Sequence, residues 1–230
     1  MIDLDGTLLD IEVAFFLGPM VQAMHGCFEE LLTRDTFTGG LFRGIEEIME
    51  KPRPEGQTNQ EGFTAAFSIL TGVSPEEVAG RFDRFYRELF PTLNGHARPR
   101  DGADRFVREA SKRGYRLVLA TNPIFPTSAI VERLKWARVD PDLFDFIPGL
   151  ETMGSCKPQV RYFEELAGRI GSDPARCLMV GNDVQQDLPA SDAGMDTFLV
   201  EGHVVDRGTG SLEPGARGSF NDLAEMLGLR

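Results

Sequence analysis

The feature that most constrains this chain is a change of period near residue 101. From there to residue 200, short apolar runs alternate with segments of helical spacing. A helix is expected over about 103–112, ended by Gly114, and the strand Arg116-Leu117-Val118-Leu119-Ala120 follows. A helix around 128–137 precedes a short apolar run from Phe144 to Ile147. Pro158 opens a helix that ends near Gly171, and Cys177-Leu178-Met179-Val180 is a strand. A helix near 187–193 then leads to Thr197-Phe198-Leu199-Val200. Strands alternating with helices build a parallel sheet covered on both faces. Right-handed crossovers place every strand's carboxyl end on one edge of such a sheet.

The segment before residue 98 has a different character. Phe16, Leu17, Met20, Met24, Cys27, Phe28 and Leu31 recur at helical spacing, Ile45, Ile48 and Met49 suggest a shorter helix, and Phe63, Ala66, Phe67 and Leu70 a third. Ser74-Pro75-Glu76-Glu77 reads as a capping box with proline at the first helical position, opening a fourth helix with Val78, Phe82, Phe85, Tyr86 and Leu89. Lys51 to Gln60 and Gly39-Gly40 read as loops. The expected fold is therefore α/β: a Rossmann-like parallel-sheet core of residues 1–12 and 98–230, interrupted by an all-helical insert over 13–97. One detail strains this reading. Only Met1 and Ile2 precede Asp3, where a strand normally has about five residues, so the first strand is a stub or residues are missing ahead of it.

Open α/β sheets bind ligands beyond the carboxyl ends of their strands. The polar residues found there are Asp3 and Asp5 after the first strand and Thr121 and Asn122 after the second. Lys157 follows the third after a loop, and Asp183 and Asp187 follow the fourth. A carboxylate can attack phosphorus and split one difficult displacement into two steps. A second can protonate the leaving oxygen and later activate water. Gly6 lets the backbone approach a phosphate, and Thr7 adds a hydroxyl. Thr121 can donate to a phosphoryl oxygen, Lys157 supplies a point charge among crowded anions, and Asp183 would complete an oxygen-ligand site for Mg²⁺.

Asp3-Leu4-Asp5-Gly6-Thr7-Leu8, Leu119-Ala120-Thr121-Asn122, Lys157-Pro158 and Val180-Gly181-Asn182-Asp183-Val184-Gln185-Gln186-Asp187 resemble, in order, the four signature motifs of the haloacid dehalogenase superfamily. The insert after the first motif resembles that superfamily's helical cap, in its phosphoglycolate phosphatase-like branch. The resemblance implies Asp3 as nucleophile, Asp5 as general acid and base, and Thr121 and Lys157 as holders of the phosphoryl group, assisted by Gly6, Thr7 and Asn122. It also implies Mg²⁺ bound by Asp3, the Asp5 carbonyl and Asp183, with Asn182 and Asp187 in support. The fourth motif reads Gly-Asn-Asp where many relatives have Gly-Asp. Asp183 is aligned with the metal ligand because Asp187 falls four residues later, and Asn182 is the alternative ligand or orienter of water.

A net charge of −12 argues against nucleic acid and anionic membrane as partners, and leaves any phosphate site to generate its own positive field. No apolar run reaches membrane-spanning length and no signal peptide is visible, so a cytoplasmic location is expected. Cys27, Cys156 and Cys177 are too scattered for a disulfide framework or zinc site. The function expected is Mg²⁺-dependent hydrolysis of a small phosphorylated metabolite through an aspartyl-phosphate. A phosphomutase, a hydrolytic dehalogenase (in which Asp5 would be superfluous) and a non-catalytic phosphate-binding protein are the alternatives.

Overall fold

The computed structural model describes residues 1–11, 13–209 and 212–229. Glu12, where the sequence reading ends the first core segment, lies outside the described residues, as do positions 210, 211 and 230. Two short strands, β1 (Leu9–Ile11) and β2 (Ala97–Pro99), pair antiparallel, with Leu9 opposite Pro99 and Ile11 opposite Ala97. The chain leaves the core through one and returns through the other, so a single narrow stalk joins core to helical cap.

The sheet is organised around Ile2. It bridges in parallel to Leu119 on one side and Val180 on the other. Its N–H donates to Val118 O at 2.9 Å, Ala120 N–H donates to its carbonyl at 2.7 Å, and Asp3 N–H donates to Val180 O at 2.9 Å. The stub is thus central, with backbone groups satisfied on both edges as a buried strand requires. Outward from it, Val118 bridges Phe146 in parallel on one flank. On the other flank β3 (Leu178–Gly181), β4 (Asp196–Val200) and β5 (Ala216–Gly218) run parallel in that order. Residues 116–120, expected as a strand, contribute isolated bridges and short pairings in place of a long ladder.

In the cap, α1 (Val13–Gly26), α2 (Arg34–Glu50), α3 (Asn59–Thr71) and α4 (Pro75–Arg84) are followed by a π-helical turn over Phe85–Leu89 and a 3₁₀ stretch over Phe90–His96. The sequence reading of Gly39-Gly40 as a loop is corrected here, because both lie inside α2, as does Gly44. The reason is space: a Cβ on Gly40 would stand 2.6 Å from Thr71 Cγ2, and one on Gly44 2.6 Å from Phe63 Cδ2. The glycines weaken intrinsic helicity by about 1 kcal/mol each and let α3 pack directly on the α2 backbone. The expected capping box is also displaced. Ser74 Oγ accepts from Glu77 N, but the Glu77 carboxylate faces Arg81; the reciprocal box is formed by Thr58 and Glu61.

The core helices are α5 (Ala103–Lys112), α6 (Thr127–Trp136), α7 (Val160–Arg169), α8 (Val184–Asp187) and α9 (Phe220–Met226). The helix expected near 187–193 is a 3₁₀ stretch over Leu188–Ala193, with Pro189 in its first turn. Among the described residues, no helix is long and apolar enough to cross a membrane.

The cap has its own packed centre. The Phe28 ring lies 5.2, 5.5 and 5.0 Å, centroid to centroid, from Phe37, Phe67 and Phe82, drawn from α2, α3 and α4. Phe28, Phe37 and Phe67 are wholly buried. Phe28→Ala is expected to lower the free energy of unfolding by about 3–5 kcal/mol, the usual cost of emptying a buried phenylalanine site, measured by urea denaturation followed by circular dichroism.

Candidate active site

Asp3 ends the central strand, and its carboxylate is almost fully buried. Lys157 Nζ donates to Asp3 Oδ1 at 2.8 Å and to Asp187 Oδ1 at 2.6 Å. Three segments far apart in sequence are thereby held at one point on the carboxyl edge of the sheet. Burial alone would lower the Lys157 pKa, but Asp187 and Asp3 more than offset it and hold the ammonium above its ordinary range. Asp187 is pushed upward, first by burial and further by the Asp3 charge, with Lys157 opposing. Its Oδ2 accepts from Asp183 N at 2.9 Å, and a Cβ on Gly181 would fall 2.1 Å from that oxygen, so only glycine leaves the carboxylate room.

The first and fourth motifs touch through Thr7 and Asn182. Thr7 Oγ1 makes a 2.9 Å contact with Asn182 Oδ1 and lies 3.3 Å from Asp3 Oδ2. Asn182 Nδ2 donates to His203 O at 2.8 Å, which fixes the amide with its oxygen toward the Asp3 turn. Gly6 turns at φ +80°, and a Cβ there would meet Asn182 Nδ2 at 2.3 Å, so this position needs glycine for both backbone and space.

The structure does not bring the Asp183 carboxylate into this group. Its two oxygens take a bidentate pair from Arg207, at 2.7 and 2.8 Å, and its Oδ1 also caps α8 by accepting from Gln185 N and Gln186 N. The Asp-x-x-x-Asp spacing points to Asp183 as metal ligand, whereas here the residue facing the Asp3 turn is Asn182, since helix capping turns the next side chain away. Asn122 is likewise redirected. Its Oδ1 accepts from Lys157 N at 2.9 Å and its Nδ2 donates to Gln186 Oε1 at 3.1 Å, so it anchors the lysine loop and offers phosphate no free polar end. Thr121 is buried at the strand end with its carbonyl accepting from Tyr162 Oη at 2.7 Å; its hydroxyl has no partner among the described residues. Asp5 is less buried and its Oδ2 pairs with Arg133 Nη2.

Arg133 was invisible as a functional residue, although a charged side chain between Ile130 and Leu134 on the buried face of α6 was a usable signal. Burial pulls its guanidinium down to about 10. Nothing in the sequence flagged Arg207. The loop over 51–60 does reach the core: Asn59 Nδ2 donates to Ser155 O at 3.2 Å, Asn59 N to Met153 O at 2.7 Å and Arg53 N to Gly154 O at 2.6 Å. Those contacts tie the cap to the loop that carries Lys157.

No three His, Cys, Asp or Glu side chains converge as a metal cluster among the described residues. The donor set nevertheless fits a hard cation of few carboxylates, because Asp3 Oδ2 and Asn182 Oδ1 both approach the one Thr7 hydroxyl. Charge points the same way. Asp3 and Asp187 share one ammonium, while Asp5 and Asp183 are each matched by an arginine, so these groups carry one net negative charge.

A parallel sheet with this carboxylate–lysine group on its carboxyl edge and a helical cap entered beside it defines a hydrolase class. The family model for haloacid dehalogenase-like hydrolases matches residues 1–193, and the chain belongs to that family. It is similar to a glyceraldehyde 3-phosphate phosphatase of Methanothermobacter thermautotrophicus, 33% identical over 47% of each chain. It is also similar to a phosphoglycolate phosphatase of Mesorhizobium japonicum, 34% identical over 59% of this chain and 60% of the relative. The matches span about half to three fifths of these relatives' lengths. An HAD phosphatase structure from Thermococcus onnurineus shares the fold, with a TM-score of 0.60 and 20% identity over 99% of this chain and 96% of that one.

Removing the central ammonium leaves two buried carboxylates facing each other. Lys157→Met is expected to cost about 3–5 kcal/mol of stability at neutral pH, read as a fall in urea midpoint. Adding Asp187→Asn to that variant should recover part of the loss.

Proposed function

We propose that the protein is a phosphomonoesterase acting on a small phosphorylated metabolite through an aspartyl-phosphate on Asp3. The observation that carries this reading is the buried Lys157 ammonium bonded to the Asp3 carboxylate. The lysine fixes the orientation of the attacking carboxylate. The Asp3 oxygen bonds to phosphorus as the ester P–O bond breaks, and the departing oxygen takes the proton that Asp5 has picked up from solvent as the substrate binds. Water then attacks the phosphorus of the acyl phosphate, Asp5 accepts its proton, and phosphate leaves with Asp3 restored. Asp5 presents its Oδ1, which has no partner among the described residues, while its Oδ2 stays on Arg133, and Thr121 donates to a phosphoryl oxygen.

The residues that would hold Mg²⁺ are Asp3, the Asp5 carbonyl and Asn182. When bound, the ion neutralises phosphoryl oxygens and offsets the surplus negative charge of the site. Arg207 keeps Asp183 outside this set. The cap excludes water during the first step, with the β1 and β2 stalk as its hinge.

Asp3→Asn is expected to abolish phosphate release from p-nitrophenyl phosphate, and EDTA should do the same until Mg²⁺ is restored. Asn182→Ala should raise the Mg²⁺ concentration for half-maximal activity by roughly tenfold or more, against a much smaller shift for Asp183→Asn. Full activity of Asp3→Asn would overturn the mechanism, and the reverse order of metal effects would overturn the ligand assignment.

A further inference from the structure

Between cap and core lies a cavity of about 310 Å³, inside the range of small-molecule pockets. Ile124, Phe125 and Pro126 form part of its wall, and the Phe125 ring lies 5.0 Å from the Arg133 guanidinium that pairs with Asp5, so this wall stands one side chain away from the site. Its other walls come from the cap: Met20 and Met24 on α1, Phe63 on α3, Phe82 on α4 and Tyr86 in the π-helical turn. Among the described residues, no lysine, arginine or histidine lines it, whereas two carboxylates, Asp83 and Glu151, do. Asp83 is paired with Arg87 at 2.9 Å. Glu151 accepts from Thr127 N at 3.0 Å, a backbone amide that brings no full positive charge. Arg133, whose guanidinium lies 5.0 Å from the Phe125 ring centroid, pairs with Asp5 through Nη2 and does not line the cavity.

An anionic group entering this cavity would lose its hydration, meet no cation and face Glu151. Burial of an unpaired charge in apolar surroundings is strongly unfavourable. An uncharged apolar or aromatic group meets thioethers and rings, with Gln60, Thr64 and the Tyr86 hydroxyl, which has no partner among the described residues, as points of hydrogen bonding. We infer that this cavity receives the leaving group of the substrate, and that the substrate is a phosphate ester of an uncharged, largely apolar or aromatic alcohol. Esters bearing a second anionic group on the alcohol, such as phosphoglycolate, are selected against. The inference rests on the phosphomonoesterase reading, and it is tested both with catalysis and without it.

With catalysis, n-hexyl phosphate and 5-carboxypentyl phosphate make a matched pair whose leaving alcohols differ in chemistry only at the far end. The neutral ester is expected to show a kcat/KM at least tenfold higher at pH 7.5; equal or better turnover of the carboxylate ester overturns the inference. Without catalysis, binding of 2-naphthol is followed by its own fluorescence and compared with 2-naphthoate. Naphthol is expected to bind at least tenfold more tightly, and Thr64→Trp, which puts an indole into the cavity, to weaken naphthol binding at least tenfold. No naphthol binding, equal binding of naphthoate, or insensitivity to Thr64→Trp overturns the cavity assignment even in an active phosphatase. Selective naphthol binding with no phosphate released from any ester upholds the cavity's preference and sinks the phosphomonoesterase reading instead.

Discussion

One ammonium group holds the site together. Lys157 Nζ lies between Asp3 and Asp187, and those carboxylates come from the first strand and from the turn after β3. Without it, two buried anions would repel across the carboxyl edge of the sheet, and the loops bearing them would separate or take up protons. With it, the loop over 150–157 is drawn down onto the strand ends. The neighbouring contacts serve that placement: Asn122 grips the Lys157 amide, and Gly181 leaves the gap that Asp187 fills.

The same loop is where the cap docks. Asn59 at the start of α3 reaches the Ser155 carbonyl, and Gln159 Nε2 donates to Met49 O at the end of α2. Cap position and lysine position are therefore mechanically linked through a few hydrogen bonds, while covalent connection runs only through the β1 and β2 stalk. Rings also join cap to core, Phe90 stacking on Trp136 at 5.1 Å and Phe16 meeting the same indole edge-on at 6.0 Å, while Phe28, Phe37, Phe67 and Phe82 pack on one another inside the cap.

Much of this was legible in the sequence, for identifiable reasons. The alternation after residue 101 gave the parallel sheet, since period 2 and period 3.6 are written directly into apolar spacing. The strand-end survey found Asp3, Thr121, Lys157 and Asp187 because topology alone brings strand ends together. What escaped it was set by space and by competition between neighbours. Gly40 and Gly44 look like loop residues until α3 is seen lying against them. Asp183 and Asn182 are adjacent, and spacing favours Asp183, whereas helix capping, Arg207 and the room Gly6 leaves for an amide bring Asn182 to the Asp3 turn. Arg207 comes from a segment with no periodic signal, so no local pattern could have joined it to Asp183.

On the proposed phosphomonoesterase reading, an acidic protein has to admit an anionic substrate. At −12 overall the surface repels a phosphate dianion at long range. The lysine does not reverse this locally, since it is outnumbered by Asp3 and Asp187, and both nearby arginines are matched by carboxylates. A phosphoryl group is therefore poorly held by the side chains alone, whereas a divalent cation on Asp3 and Asn182 would turn one net negative charge into one positive. An amide in place of a second carboxylate serves that balance, because Asn182 contributes an oxygen without adding an anion. In the cap cavity, where no such cation is available, the balance stays negative at Glu151. Phosphate and alcohol thus meet opposite electrostatic requirements only a few residues apart in the chain, across the turn from Thr121 to Phe125.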